Sequence, residues 1–165
     1  MTEAYLALGS NLGERLEMLR GARGALQGSE QVDVAACSAV FETEPVGGPA
    51  GQSAYLNAVL RVRSGLSPEA LLALCLEIET RFGRQRAERW GERTLDIDLL
   101  LFGAELRDGP FLILPHPRLH QRRFVLEPLA ELAPELRHPR LGRKVRELLA
   151  ALPPGQAVRR LYPTW

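Results

Sequence analysis

The chain has 165 residues, of which 45% are hydrophobic and 25% are charged, and its 21 basic and 20 acidic side chains leave a net charge of +1. This length and composition are typical of one globular domain and exclude a disordered, fibrous or membrane-spanning protein. The near-zero charge provides no general field to attract nucleic acid or a membrane surface. We therefore expect a cytoplasmic, monomeric protein with a single domain over residues 1–165.

The first part of the chain carries strand and helix patterns in turn. An apolar run at residues 4–8 predicts a strand, and leucines at helical spacing over residues 12–26 predict a helix. Residues 32–43 and 56–62 predict two long strands separated by a loop rich in proline and glycine. Because this loop is too irregular for a helical crossover, the pattern favours an α+β fold with an antiparallel or mixed sheet and helices on its faces.

The second part of the chain begins with a helix that has recognisable ends. Ser67 and Pro68 are typical of a helix start, and Gly83 is expected to end that helix in a left-handed conformation. A charged loop then precedes an apolar strand at residues 95–102, and a hairpin is expected near Gly109. Two further helices are predicted at residues 119–132 and 143–152.

Two aspartates near the start of the apolar strand are the sharpest chemical feature. Alternate residues of a strand share a face, so Asp96 and Asp98 should point the same way. Two like charges there are costly unless they share cations, and Mg²⁺ prefers such carboxylate ligands together with substrate phosphates. The spacing alone leaves open the alternative that each aspartate pairs with a neighbouring arginine.

Cationic side chains cluster on both sides of this strand. Residues 81–93 hold five arginines and two glutamates, which is enough to bind a polyphosphate or to form a solvated loop. His116, with Arg122 soon after it, is either another phosphate ligand or a surface histidine. Phe124 offers a flat face for a ring, although its type alone is more typical of the core.

Residues 87–98 read Ala-Glu-Arg-Trp-Gly-Glu-Arg-Thr-Leu-Asp-Ile-Asp and resemble the RWGxRTLDxD segment of the 6-hydroxymethyl-7,8-dihydropterin pyrophosphokinases. Three more motifs resemble that family in the same order, so the resemblance covers nearly the whole chain: residues 8–13, residues 55–58, and residues 114–117 continuing to Arg122 and Phe124. The resemblance implies a ferredoxin-like α+β sandwich with a mostly antiparallel central sheet and helices on both faces. It also implies transfer of pyrophosphate from MgATP to a reduced pterin.

The resemblance further implies a role for particular residues. Two Mg²⁺ ions are expected at Asp96 and Asp98, and a pterin ring between Tyr55 and Phe124. The nucleotide and phosphate contacts that it implies are Glu79, Arg84, Arg86, Arg89, Trp90, Arg93, His116 and Arg122. The pterin contacts that it implies are Thr43, Pro45, Val46, Tyr55, Asn57, Trp90 and Phe124. The catalytic residues that it implies are Arg84, Arg93, Asp96, Asp98 and His116.

Two other functions are compatible with parts of the pattern. A ferredoxin-like module could bind nucleic acid, but the near-zero charge and the lack of a strand with several aromatic residues count against it. A two-metal phosphohydrolase could use the same carboxylates on water. Release of AMP that depends on the pterin would distinguish transfer from hydrolysis.

Overall fold

An antiparallel sheet organises the part of the chain that the computed structural model describes, residues 1–44, 53–83 and 94–165. Within those residues the strands run in the order β5, β1, β4, β3, β8, while β2 also pairs with β4 and β6 pairs with β7 in a separate hairpin. Every strand pair is antiparallel, as the sequence predicts. The strands are β1 (Thr2–Ser10), β2 (Val32–Cys37), β3 (Val40–Thr43), β4 (Tyr55–Ser64), β5 (Asp96–Phe102), β6 (Arg107–Asp108), β7 (Ile113–Leu114) and β8 (Val158–Tyr162).

Helices cover both faces of the sheet, which confirms the predicted sandwich. They are α1 (Arg15–Gln27), α2 (Pro68–Arg81), α3 (Arg123–Leu132) and α4 (Val145–Ala150). Leu19 of α1 and Ile78 of α2 belong to the core on one face, whereas Leu126 of α3 and Leu148 of α4 belong to the core on the other. None of the helices in the described part of the chain is long and apolar enough to cross a bilayer.

The ends of α2 follow from local chemistry that the sequence displays. The Ser67 hydroxyl accepts a hydrogen bond of 3.1 Å from the Ala70 N–H, and Pro68 occupies the first turn, where it removes no helical bond. Gly83 follows the helix with a φ of 78°, a conformation that favours glycine. The predicted start and end of this helix are therefore confirmed.

The structure differs from the predicted elements in three places: two predicted elements are wrong and one strand was missed. The strand expected at 32–43 is two strands, because Ser38 interrupts it by bonding Val59 through both its N–H and its hydroxyl oxygen. The helix expected from residue 119 to 132 is a 3₁₀ turn (Leu119–Gln121) followed by α3, because Arg122 adopts an extended conformation between them. Strand β8 was not predicted, and it pairs with β3 at the edge of the sheet.

His138 organises the loop between α3 and α4. Its Nδ1 accepts hydrogen bonds from the N–H groups of Arg140 and Leu141 at 3.2 Å and 3.1 Å. Its ring also stacks edge-on against His120, with centroids 5.9 Å apart. Burial lowers the pKa of His138 below its usual value, and the neighbouring charges of His120 and Arg140 lower it further.

We predict that replacing His138 with asparagine reduces the loss of stability in mild acid. Between the usual pKa of 6.5 and the lowered pKa of the folded state, the unfolded chain takes up the proton first, so the wild type loses stability as pH falls. An asparagine Oδ1 can accept the same backbone bonds without titrating. Urea unfolding at a series of pH values measures the effect, and equal pH dependence in the two proteins would contradict it.

Candidate active site

The register of β1 against its two neighbours aligns the predicted site residues on one face of the sheet. Gly9 pairs with Asp96 of β5 on one side and with Asn57 of β4 on the other, and Ala7 pairs with Asp98. Side chains of directly paired residues project from the same face. Asp96, Asp98 and Asn57 therefore share the face that packs against α3, where Val59, the partner of Ala7 on β4, belongs to the core. This confirms that the two aspartates point the same way.

A buried glutamate holds the backbone between the two aspartates. The Oε2 atom of Glu79, near the end of α2, accepts a hydrogen bond of 2.7 Å from the N–H of Ile97. Glu79 is 3% exposed, so this bond lies in a low-dielectric environment, where an unpaired N–H would be costly. The predicted contact of Glu79 with the nucleotide stays a prediction. Its hydrogen bond to Ile97 holds the backbone from which Asp96 and Asp98 project.

Arg122 supplies positive charge and His116 supplies an N–H donor on the carboxylate side. The His116 N–H bonds to the Leu100 carbonyl at 2.9 Å, which attaches this segment to β5, and its Nδ1 accepts a bond of 3.2 Å from the Arg118 N–H. Burial lowers the pKa of both side chains, while the charge of Asp98 opposes that shift in each. His116 is therefore held as a neutral imidazole with its proton on Nε2.

A cleft of about 280 Å³ opens beside this charged group. Asp98 and His116 line it together with apolar side chains that the sequence analysis did not single out: Leu72, Leu76, Ile97, Leu99, Phe111 and Ile113. Phe111 lies in the loop joining β6 and β7 and is 90% exposed. A phenylalanine in a turn could have been noticed in the sequence as a candidate site residue. Its proximity to Asp98, however, is visible only in the folded chain.

The opposite side of the site lies where β3 ends and β4 begins, and its residues form the predicted pterin recess. Thr43 pairs with Tyr55, and Asn57 lies two residues further along the same face of β4. Thr43 Oγ1 and Asn57 Oδ1 are buried and find no hydrogen-bond partner among the described residues. Gly9 lets these side chains pack closely against β1, because a Cβ atom there would lie 3.2 Å from Asn57 Nδ2 and 3.8 Å from Tyr55 Cδ1.

Phe124 begins α3 on the same face of the sheet. Its ring packs at the margin of the core that contains Val59, and the Arg122 guanidinium lies over it at 5.6 Å from the ring centroid. Phe124 therefore lies between the Arg122 guanidinium and the apolar core. Its stacking against a pterin ring opposite Tyr55 stays a prediction.

Several predicted contacts fall in the two stretches that lie outside the described residues. They are Pro45 and Val46 in the first stretch, and Arg84, Arg86, Arg89, Trp90 and Arg93 in the second. In the sequence, the first stretch precedes β4 and the second precedes β5. Their assigned roles remain predictions.

The fold and the site are those of a transferase of the kinase type, with carboxylates, an imidazole and a guanidinium on one side and polar and aromatic side chains on the other. A family profile described as 7,8-dihydro-6-hydroxymethylpterin-pyrophosphokinase (HPPK) matches residues 5–134. The chain belongs to this family of pyrophosphokinases.

Relatives in several bacteria support the same assignment. Proteins named 2-amino-4-hydroxy-6-hydroxymethyldihydropteridine pyrophosphokinase are 46% identical in Methylorubrum extorquens over 93% of this chain and 96% of that protein. The Pseudomonas aeruginosa protein is 46% identical over 90% of this chain and 91% of its own length. The Bacillus subtilis protein is 44% identical over 81% of this chain and 79% of its own length. The near-complete coverage on both sides shows that the similarity is not confined to one motif.

Solved structures show the same fold at much lower identity. A structure described as HPPK-DHPS in complex with substrates superposes with a TM-score of 0.71 at 13% identity, covering 91% of this chain. Plasmodium falciparum HPPK-DHPS A437G superposes with the same TM-score of 0.71 at 15% identity, covering 90%. This chain spans 43% and 45% of those two longer chains, so the likeness concerns one part of each.

We predict that Gly9→Ala weakens pterin binding selectively. The added Cβ would press on the Asn57 amide, so we expect the KM for the pterin to rise about tenfold, which corresponds to about 1.4 kcal/mol. The KM for ATP should change by less than about twofold. Gly24→Ala is the matched control, because nothing lies within 4 Å of a Cβ at that position. Equal effects of Gly9→Ala on both substrates would contradict the assigned recess.

Proposed function

We propose that this chain transfers the pyrophosphoryl group of ATP to the hydroxymethyl group of 6-hydroxymethyl-7,8-dihydropterin, on the face shared by Asp96, Asp98 and Asn57. The products are AMP and the pterin diphosphate used in folate biosynthesis. The single observation that carries this placement is the row Asp96, Gly9, Asn57 across three neighbouring strands. Two strand spacings amount to roughly 10 Å, which suits a phosphate chain and a pterin bound side by side.

The carboxylate pair fits magnesium, the metal that a reaction of ATP requires. Both aspartates are half-exposed on one face, and Asp98 lines the cleft. Hard carboxylate oxygens that leave room for water and phosphate are the ligands that Mg²⁺ prefers. We assign two ions to Asp96 and Asp98. When bound, magnesium neutralises phosphate charge and aligns the phosphates for displacement.

The chain's own side chains then position the phosphates and stabilise their charge. His116 can donate its Nε2 proton to a phosphate oxygen, since its Nδ1 already accepts the Arg118 N–H. Arg122 adds a guanidinium whose partial burial strengthens its bonds to an anion. We also assign a phosphate contact to Arg84 and to Arg93, which lie outside the described residues.

The reaction is a single displacement at the β-phosphorus. The pterin hydroxyl oxygen forms a bond to that phosphorus, and the bond from the phosphorus to the oxygen shared with the α-phosphate breaks. AMP leaves with the bonding electron pair, and the hydroxyl proton is released. The enzyme contributes alignment and stabilisation of charge at the phosphates, which are the main sources of rate enhancement in such transfers.

The apolar cleft supports a place for the adenine base. The Ile97 N–H points away from β1 toward Glu79, and strand geometry turns the Leu99 backbone to that same open edge. Leu99 therefore offers an N–H and a carbonyl within a cleft walled by Leu72 and Ile113. Apolar walls with a few directional polar groups are typical of a site for a small heterocycle.

We propose that the enzyme acts as a monomer with a single domain over residues 1–165. The described site residues on β4, β5 and α3 all come from the same sheet and its covering helix. The sheet itself includes both β1, which begins at Thr2, and β8, which ends at Tyr162.

We predict that Asp96→Asn and Asp98→Asn each lower pterin-dependent AMP formation by at least about 100-fold, since losing even an outer-shell partner of a metal typically costs 10–100-fold. Asp108→Asn is the matched control, because Asp108 lies on the exposed hairpin and pairs there with Arg140 of the loop between α3 and α4. Measuring AMP with and without the pterin separates transfer from hydrolysis. Full activity in either site variant, or equal AMP release without the pterin, would contradict the proposal.

A further inference from the structure

Arg15 makes two contacts that the proposed chemistry does not use. Its Nη1 atom donates to the Ala54 carbonyl at 2.6 Å and to the Glu42 carboxylate at 3.3 Å. Arg15 is also the first residue of α1, where a positive charge opposes the helix dipole. The guanidinium therefore does not serve the helix that carries it, and its bonds to the sheet explain its position better.

The two acceptors lie on either side of the stretch 45–52. Glu42 precedes Thr43 in β3, and Ala54 precedes Tyr55 in β4. Thr43 and Tyr55 pair with each other across the two strands. The Nη1 atom of Arg15 therefore joins the Ala54 carbonyl, next to Tyr55, to the Glu42 side chain, next to Thr43. Tyr55 and Thr43 both belong to the proposed pterin recess.

Neighbouring hydrogen bonds support this junction. Arg159 of β8 donates to the second oxygen of Glu42 at 2.7 Å. Both arginines lower the pKa of Glu42, so the carboxylate stays charged and keeps accepting both bonds at neutral pH. Asn11 donates to the Ser53 carbonyl at 3.3 Å, and Gln156 donates to the Glu44 carbonyl. In these bonds Asn11 contacts only the residues before β4, and Gln156 contacts only the residues after β3. Arg15 contacts both strands' ends.

We propose that Arg15 is a positioning residue that holds Tyr55 in place beside Thr43 at the proposed pterin site by tying the start of β4 to the end of β3. This inference rests on the proposed pterin site and adds a specific task for a residue outside it. A positioning role differs from a purely structural one in a measurable way. Loss of Arg15 should weaken pterin binding more than it affects ATP binding, because the carboxylate side lies two strands away.

The test compares Arg15→Met with Arg15→Lys and with Arg20→Met as a matched control. Methionine keeps much of the apolar stem but cannot donate, whereas a lysine ammonium has three N–H groups and can serve both acceptors. Arg20 lies on the same helix but pairs only locally with Glu17 in its described bonds. Pterin binding is measured by calorimetry with 6-hydroxymethylpterin, Mg²⁺ and a non-hydrolysable ATP analogue, beside steady-state kinetics and melting temperature.

We expect Arg15→Met to raise the Kd and KM for the pterin about tenfold, with the KM for ATP and kcat within about twofold of the wild type. Arg15→Lys should recover most of the pterin affinity, and Arg20→Met should match the wild type. A lower melting temperature with unchanged pterin affinity, equal effects on both substrates, or no recovery by lysine would overturn the inference. If Asp98→Asn is inactive while Arg15→Met binds the pterin normally, only the positioning role fails.

Discussion

The antiparallel pairing of β1 with β5 is the constraint on which the site depends. It sets Asp96 beside Gly9 and Asp98 beside Ala7, on the face that α3 covers. A slip of one residue would turn both carboxylates toward the core formed with α1 and α2, at a large desolvation cost. The Glu79 carboxylate secures the same register from the open edge of β5 by binding the Ile97 N–H.

The position of β5 at the sheet edge explains how two substrates can share one face. One side of β5 belongs to β1, and the other side is left for Glu79, the His116 segment and the apolar cleft. Across β1, the missing side chain of Gly9 leaves room for Tyr55 and Asn57. Charged and apolar side chains therefore occupy one side of β1, and the side chains that we propose to bind the pterin ring occupy the other.

Local patterns predicted those features whose causes lie within a few residues. The caps of α2 at Ser67 and Gly83 and the common face of Asp96 and Asp98 followed from helix ends and strand alternation. Other features depend on distant partners. Strand β8 carries two arginines and forms by pairing with β3, and the lining of the cleft brings Phe111 to Asp98 only in the folded chain. The contacts of Arg15 with Glu42 and Ala54 are equally non-local.

The most direct test is a crystal structure grown with Mn²⁺ and a non-hydrolysable ATP analogue, with the metal located by its anomalous scattering. The account predicts anomalous peaks in contact with carboxylate oxygens of both Asp96 and Asp98, and triphosphate oxygens near His116 and Arg122. Metal bound away from both aspartates, or aspartates held by arginine side chains in the presence of the nucleotide, would contradict it.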